Sequence, residues 1–131
     1  MPLEVAREAC EAIAAHAARA APEEACGLLL GEAERVLEAR PAANVALDKA
    51  RRFEVDPQAL IDAHRAERRG GPRLLGYYHS HPAGPPEPSA VDRETAARDG
   101  RLWAIAAHGQ VRFWRDGEGG FEPLSYMLVD A

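Results

Sequence analysis

A chain of 131 residues with 47% hydrophobic and 28% charged residues has the size and balance of one ordinary globular domain. Its net charge of −5 and scattered basic residues argue against nucleic acid as the main partner. No apolar run approaches the roughly 18 residues of a membrane span, and the start lacks the basic end and apolar stretch of a signal peptide, so the expected compartment is the cytoplasm. Two cysteines, Cys10 and Cys26, fall in different expected elements without a CxxC spacing and read as reduced, buried thiols. Lys49 is the sole lysine; with abundant alanine, this bias says little about function.

Taken in chain order, Val5, Ala9, Ile13 and Ala17 recur at helical spacing, which predicts a helix over residues 3–20, stopped by Pro22. Residues 25–31 are a short glycine-bounded apolar run, suited to a buried strand. A strand broken around Pro41 is expected over 35–46, and a short edge strand over 53–55. Asp56 and Pro57 supply the N-cap and first turn of a helix running to about Arg69, and Gly70-Gly71-Pro72 stops it. Residues 73–80 read as a central strand. The segment from Pro82 to Pro88 holds four prolines and a glycine and is a rigid loop. Ser89 then caps a helix of about ten residues ending near Gly100. Strands are expected at 102–107, 110–115 and 124–129, with Asp116-Gly117 as the turn between the last two. Trp103 and Trp114 read as core or sheet-face residues. The element order points to an α/β fold (α+β is the alternative): residues 1–131 as one domain, a mixed sheet packed with about three helices.

The chemistry concentrates in His79-Ser80-His81-Pro82 and Ser89-Ala90-Val91-Asp92. Residues two apart in a strand share a face, so His79 and His81 can aim both rings at one point. The stiff loop then reverses the chain and returns Asp92 in the first turn of the next helix. Two imidazoles and a carboxylate suit zinc, with one coordination position left for a water whose pKa falls to about 7. Each piece has a blander reading: a histidine at a strand end is often structural, and Ser-x-x-Asp by itself is a capping box. The conjunction is what favours a metal site.

A general base is still required. Glu24, at the mouth of the 25–31 strand, could take a proton from a water and pass one to a leaving amine, whereas Glu23 reads as a solvated loop acid. Geometry separates the two only slightly. His16 and His64 are expected on the surface, and His108 is expected to be structural.

Glu24-x-Cys26-Gly27, His79-Ser80-His81-Pro82 and Ser89-x-x-Asp92, in this order, resemble the JAMM motif of the MPN+ metalloprotease family across the whole chain. The resemblance implies a curved mixed sheet of the MPN type. It also implies one zinc per chain held by His79, His81 and Asp92, with Glu24 as general acid/base. Ser89 would steady the tetrahedral intermediate. By similarity to the compact bacterial members, the implied reaction is hydrolysis after the C-terminal Gly-Gly of a ubiquitin-like or sulfur-carrier protein, its tail bound in extended form. Two other readings compete: a non-catalytic MPN scaffold, whose members typically lack the ligands, and a DNA-repair-associated relative, against which the acidic charge counts. Substrate, leaving group and oligomeric state are left open by the sequence.

Overall fold

The computed structural model describes residues 2–131. Eight strands form a single mixed sheet, with β1 (Leu3–Ala6), β2 (Cys26–Glu32), β3 (Arg35–Ala42), β4 (Arg73–Ser80), β5 (Leu102–Ala107), β6 (Gln110–Gly117), β7 (Gly120–Leu124) and β8 (Tyr126–Val129) in the order β7-β6-β5-β4-β2-β3-β1-β8. Helices α1 (Arg7–Ala20), α2 (Pro57–Arg68) and α3 (Ala90–Thr95) interrupt them. No helix of the described residues is long and apolar enough to cross a membrane.

Why β2 reads as an unbroken apolar run follows from its position at the sheet centre, between β3 and β4. A strand covered on both faces has no polar side to alternate with. Leu29 packs with Ile13, Val36, Tyr78 and Phe113 on the α1 face. Leu28 and Leu30 pack with Val55, Ala63 and Leu74 on the α2 face. Gly27 is required here, because a Cβ would run into the Arg40 carbonyl and the Tyr78 ring.

Several elements differ from the sequence expectation. The stretch expected as the start of a long helix divides at Ala6: Leu3–Ala6 is a strand parallel to both β3 and β8, and the helix begins at Arg7. Leu3 and Val5 alternate into the core as a strand requires. β3 runs through Pro41, which faces Gly27 in a part of the strand that β1 does not cover, so no ladder donor is lost there. Residues 53–55 form no strand and contribute only an isolated Asn44–Val55 bridge.

α3 lasts six residues rather than about ten. Past it, the buried Asp116 accepts the Arg98 N–H at 2.9 Å and holds the chain in a non-helical loop. Asp116 is therefore not a turn residue. β6 continues through it, and the turn falls at Glu118-Gly119, before β7. The strand expected at 124–129 is present as β8, paired with β1, and an unexpected strand, β7, precedes it and pairs with β6.

Cys26 is buried as expected, whereas Cys10 is only partly so. His16 is not a free surface residue: its Nδ1 lies 2.6 Å from the Tyr78 hydroxyl. His108 is exposed at the β5–β6 turn with φ +52°. Trp103 is buried, and Trp114 is half-buried with its Nε1 donating to the Pro86 carbonyl at 3.3 Å, which ties down the proline-rich loop.

Candidate metal centre

β4 and β5 are parallel, and α3 lies on the connection between them. The site opens at the carboxyl end of β4, where parallel strands of open sheets commonly present ligands. The alternation of β4 puts Tyr77 and His79 on the α2 face and turns Tyr78 and Ser80 toward α1. His81 follows the strand and keeps the face of His79.

The three side chains expected as metal ligands meet there. His79 Nε2 and His81 Nε2 are 3.0 Å apart, and Asp92 Oδ2 lies 3.0 Å from the first and 3.1 Å from the second. All three residues are buried. Ligand atoms about 2.0–2.1 Å from a tetrahedral ion stand roughly 3.3 Å apart, so the triangle is close to what such an ion needs. His81 Nδ1 lies 2.7 Å from the Pro85 carbonyl, which can only accept. Nδ1 therefore carries the proton, and Nε2 presents its lone pair to the centre.

Asp92 is placed by the start of α3. Ser89 Oγ accepts the Asp92 N–H at 3.0 Å, and Asp92 Oδ2 accepts the Ser89 N–H at 2.9 Å, a complete capping box. The bland reading of Ser-x-x-Asp is thus true, and it is also the device that fixes the carboxylate. Burial pushes the Asp92 carboxyl up, but its contacts with the His79 and His81 rings and the Ser89 N–H bond outweigh it and hold it well below the usual carboxylate range. Burial likewise lowers His79, while the Asp92 and Pro85 bonds overcome it at His81 and raise that ring.

Glu24 reaches the same centre from the loop just before β2. Cys26 pairs with His79 in the antiparallel β2–β4 ladder, so Glu24 falls opposite His81. The Ala25 N–H donates to Ser80 Oγ at 2.8 Å and the Ser80 N–H to the Ala25 carbonyl at 3.1 Å, which locks that register. Glu24, His79 and His81 each offer an atom within 4.8 Å of the others, but the tighter triangle is the one with Asp92. Glu24 Oε1 is buried with no hydrogen-bond partner. Burial, with the nearby Asp92 and Asp48 charges, pushes its carboxyl from 4.5 up to about 7, against the opposing pull of His81. An orphaned carboxylate oxygen beside two imidazoles and a second acid is a donor set that fits a bound cation and its water. Glu23, one residue earlier, is exposed.

Phe53 and Asn44, which sequence reasoning passed over, support this centre together with Trp103. Phe53 stacks on His79, with centroids 4.3 Å apart and planes at 18°, and Trp103 meets the same ring edge-on at 5.5 Å. Asn44 clamps the loop carrying Glu24: its Nδ2 donates to the Glu24 carbonyl at 3.0 Å and the Arg52 carbonyl at 3.1 Å. Its Oδ1 accepts the Ala46 and Glu54 N–H groups, both at 3.1 Å. The Asn44-to-Glu54 spacing carries no local signal; only the folded loop brings these groups together.

Fold and cluster together define a mixed-sheet domain with a buried His-His-Asp centre and a free carboxylate beside it. The chain belongs to the family of prokaryotic homologs of the JAB domain, whose model matches residues 6–117. It is 37% identical over 111 residues to a desampylase of Haloferax volcanii, covering 80% of each chain. It is 43% identical over 96 residues to a probable TtuB-protein conjugate cleaving protease of Thermus thermophilus, covering 72% of this chain and 63% of that one. Its fold matches the crystal structure of a JAB1/MPN domain protein from Archaeoglobus fulgidus, with a TM-score of 0.65 and 19% identity over 96% of this chain and 98% of that one.

Proposed function

We propose that this protein is a zinc-dependent isopeptidase that releases ubiquitin-like or sulfur-carrier proteins from their conjugates by hydrolysing the bond after a C-terminal Gly-Gly. His79, His81 and Asp92 would hold one zinc ion per chain. The convergence of Asp92 Oδ2 and both Nε2 atoms within 3.1 Å is the observation that carries this reading. The desampylase and conjugate-cleaving relatives support the substrate class.

When bound, the ion supplies Lewis acidity and lowers the pKa of water at the centre. Glu24 is the general acid/base. With its carboxyl raised to about 7, it can accept a proton from the attacking water near neutral pH and return one to the amine. The water oxygen bonds to the carbonyl carbon, the C–N bond breaks, and the amine leaves with the proton from Glu24. Asp92 rather than Glu24 is assigned as ligand, because its oxygen already touches both imidazoles while Glu24 Oε1 is uncommitted. Ser89 uses a lone pair of its hydroxyl for the cap, which leaves the O–H proton free to donate to the developing oxyanion.

The test is elemental analysis of protein purified without chelator, together with cleavage of a small-protein conjugate ending in Gly-Gly on a lysine ε-amine. One zinc per chain and chelator-sensitive release of the intact tail are expected. Protein that neither carries nor takes up zinc, or zinc-loaded protein that leaves the conjugate intact, overturns the assignment.

A further inference from the structure

The sheet face that carries His79 holds a second feature that the hydrolytic chemistry does not use. A cavity of about 250 Å³ is lined by Phe53, Tyr77, Trp103, Thr95, Asp99 and Asp116. Tyr77 lies two residues before His79 on β4, a step of roughly 7 Å along the strand. Trp103 pairs with Tyr77 across β4 and β5, and Asp116 sits two residues beyond Trp114, the β6 partner of Trp103. Alternation puts all of these side chains on the face of the metal centre. Phe53 and Trp103 are shared, since both pack on His79 and both line the cavity.

What distinguishes this cavity is the carboxylate in its wall. Asp116 is 1% exposed. Its Oδ2 accepts the Arg98 N–H, but its Oδ1 has no hydrogen-bond partner. An unpaired buried carboxylate oxygen is costly unless a donor comes to it. Asp99 is already engaged by Arg101 at 3.4 Å, and Glu54, the third acid of the lining, is exposed to solvent, so Asp116 is the buried carboxylate of the wall. The remaining walls are aromatic faces and edges, which attract cations over their rings.

We propose that this cavity is a specificity subsite that takes a cationic side chain, arginine or lysine, from the extended tail of the substrate. The inference rests on the isopeptidase reading for the identity of the ligand. An extended chain advances about 3.3 Å per residue, so the side chain received belongs roughly two to three residues upstream of the terminal glycine, at one of the two positions just before the Gly-Gly pair. The aliphatic stem lies between Phe53, Tyr77 and Trp103, and the charged head donates to Asp116 Oδ1.

Two measurements separate this subsite from the activity itself. The first titrates metal-free protein with n-butylguanidinium and, in parallel, with neutral n-butylurea, following the Trp103 indole N–H by NMR. A saturable shift with the cation and none with the urea is expected. The second compares kcat/KM for two Gly-Gly conjugates that differ only in arginine or norleucine at the first, and then the second, residue before the Gly-Gly pair. At one of these positions the wild type should prefer arginine by about tenfold or more, the range of a hydrogen bond to a charged group. Asp116→Asn should abolish that ratio. Thr95→Arg, which sets a guanidinium at the rim from an exposed position, should abolish it too and keeps the test open if the first variant misfolds. Cleavage of both conjugates at equal rates, with no cation-induced shift, overturns the subsite and leaves the isopeptidase reading standing. A clear cation-induced shift with neither conjugate cleaved does the reverse.

Discussion

Phe53 lies flat on the His79 imidazole, 4.3 Å between centroids, and with Trp103 packs a ring whose Nδ1 has no hydrogen-bond partner. His81 is held differently, through its bond to the Pro85 carbonyl. One proposed ligand is thus oriented by packing and the other by a hydrogen bond. Phe53→Ala should therefore weaken zinc binding by roughly twofold to tenfold, matching the 0.5–1.5 kcal/mol of an aromatic pair, while Phe53→Tyr should retain it. Competition against a chelator of known affinity measures this. Unchanged affinity in Phe53→Ala would show that the stack does not orient His79.

Glu24 and His81 face each other across the β2–β4 register but are assigned different work, and substitution should separate them. Glu24→Gln should keep zinc and lose turnover on the order of 10²-fold or more, because the amide cannot shuttle a proton. His81→Ala should lose the metal. Zinc content and single-turnover rates on the same preparations decide the matter. A Glu24→Gln protein that turns over normally would remove Glu24 as the base.

Asn44 makes four hydrogen bonds to backbone groups, including the Glu24 carbonyl, and so positions the proposed base from outside the metal cluster. Asn44→Ala leaves those groups unpaired and should cost about 1–3 kcal/mol of stability. Because Glu24 moves with its backbone, kcat should fall while zinc content stays at one per chain. Denaturant unfolding, kcat and KM should be read together. A stability loss with kcat intact would reduce Asn44 to a loop tie.

The contrast between these residues shows what a sequence displays and what it hides. His79 and His81 were legible because the period of a strand puts them on one face, and Asp92 because a capping box has a fixed spacing. The apolar run of β2 announced its own burial. Asn44, Phe53 and Asp116 were not legible, because each acts through partners distant in the chain that only the fold assembles. The division of residues 3–20 into β1 and α1 was hidden for a related reason. Val5, Ala9 and Ile13 fit a helical period, yet Leu3–Ala6 takes up strand partners in β3 and β8, and tertiary pairing overrides the local pattern.

Asp116 also yields a pH prediction. Burial, opposed mainly by the Arg98 N–H, raises its carboxyl above the ordinary 3.8. A raised acid stabilises the fold while protonated; that contribution is complete below pH 3.8 and is lost as pH rises through the folded-state value. Asp116→Asn stays neutral throughout. The stability of the variant relative to wild type should therefore increase between pH 3.5 and pH 7, whatever fixed penalty the substitution carries. Urea unfolding at the two pH values gives the difference. A relative stability that is flat with pH would mean that the buried carboxylate is fully compensated.

Ser89 stands where helix capping and chemistry overlap, and the two roles make different demands on its hydroxyl. The cap uses a lone pair, toward the Asp92 N–H. The proposed chemistry uses the proton. Ser89→Ala removes both and should cost roughly 0.5–2 kcal/mol of stability. At the transition state, loss of an oxyanion donor should cost about 10²–10³ in turnover. Asn caps as well as Ser and keeps an N–H donor, so Ser89→Asn should retain stability and some activity. The expected pattern is a Ser89→Ala protein that loses far more turnover than stability. Since the capping box also holds Asp92, zinc content must be checked in each variant, so that a misplaced carboxylate is not read as a lost donor. Thermal melting and single-turnover kinetics on zinc-matched samples make the comparison. Full turnover in zinc-loaded Ser89→Ala would leave Ser89 a helix cap and nothing more.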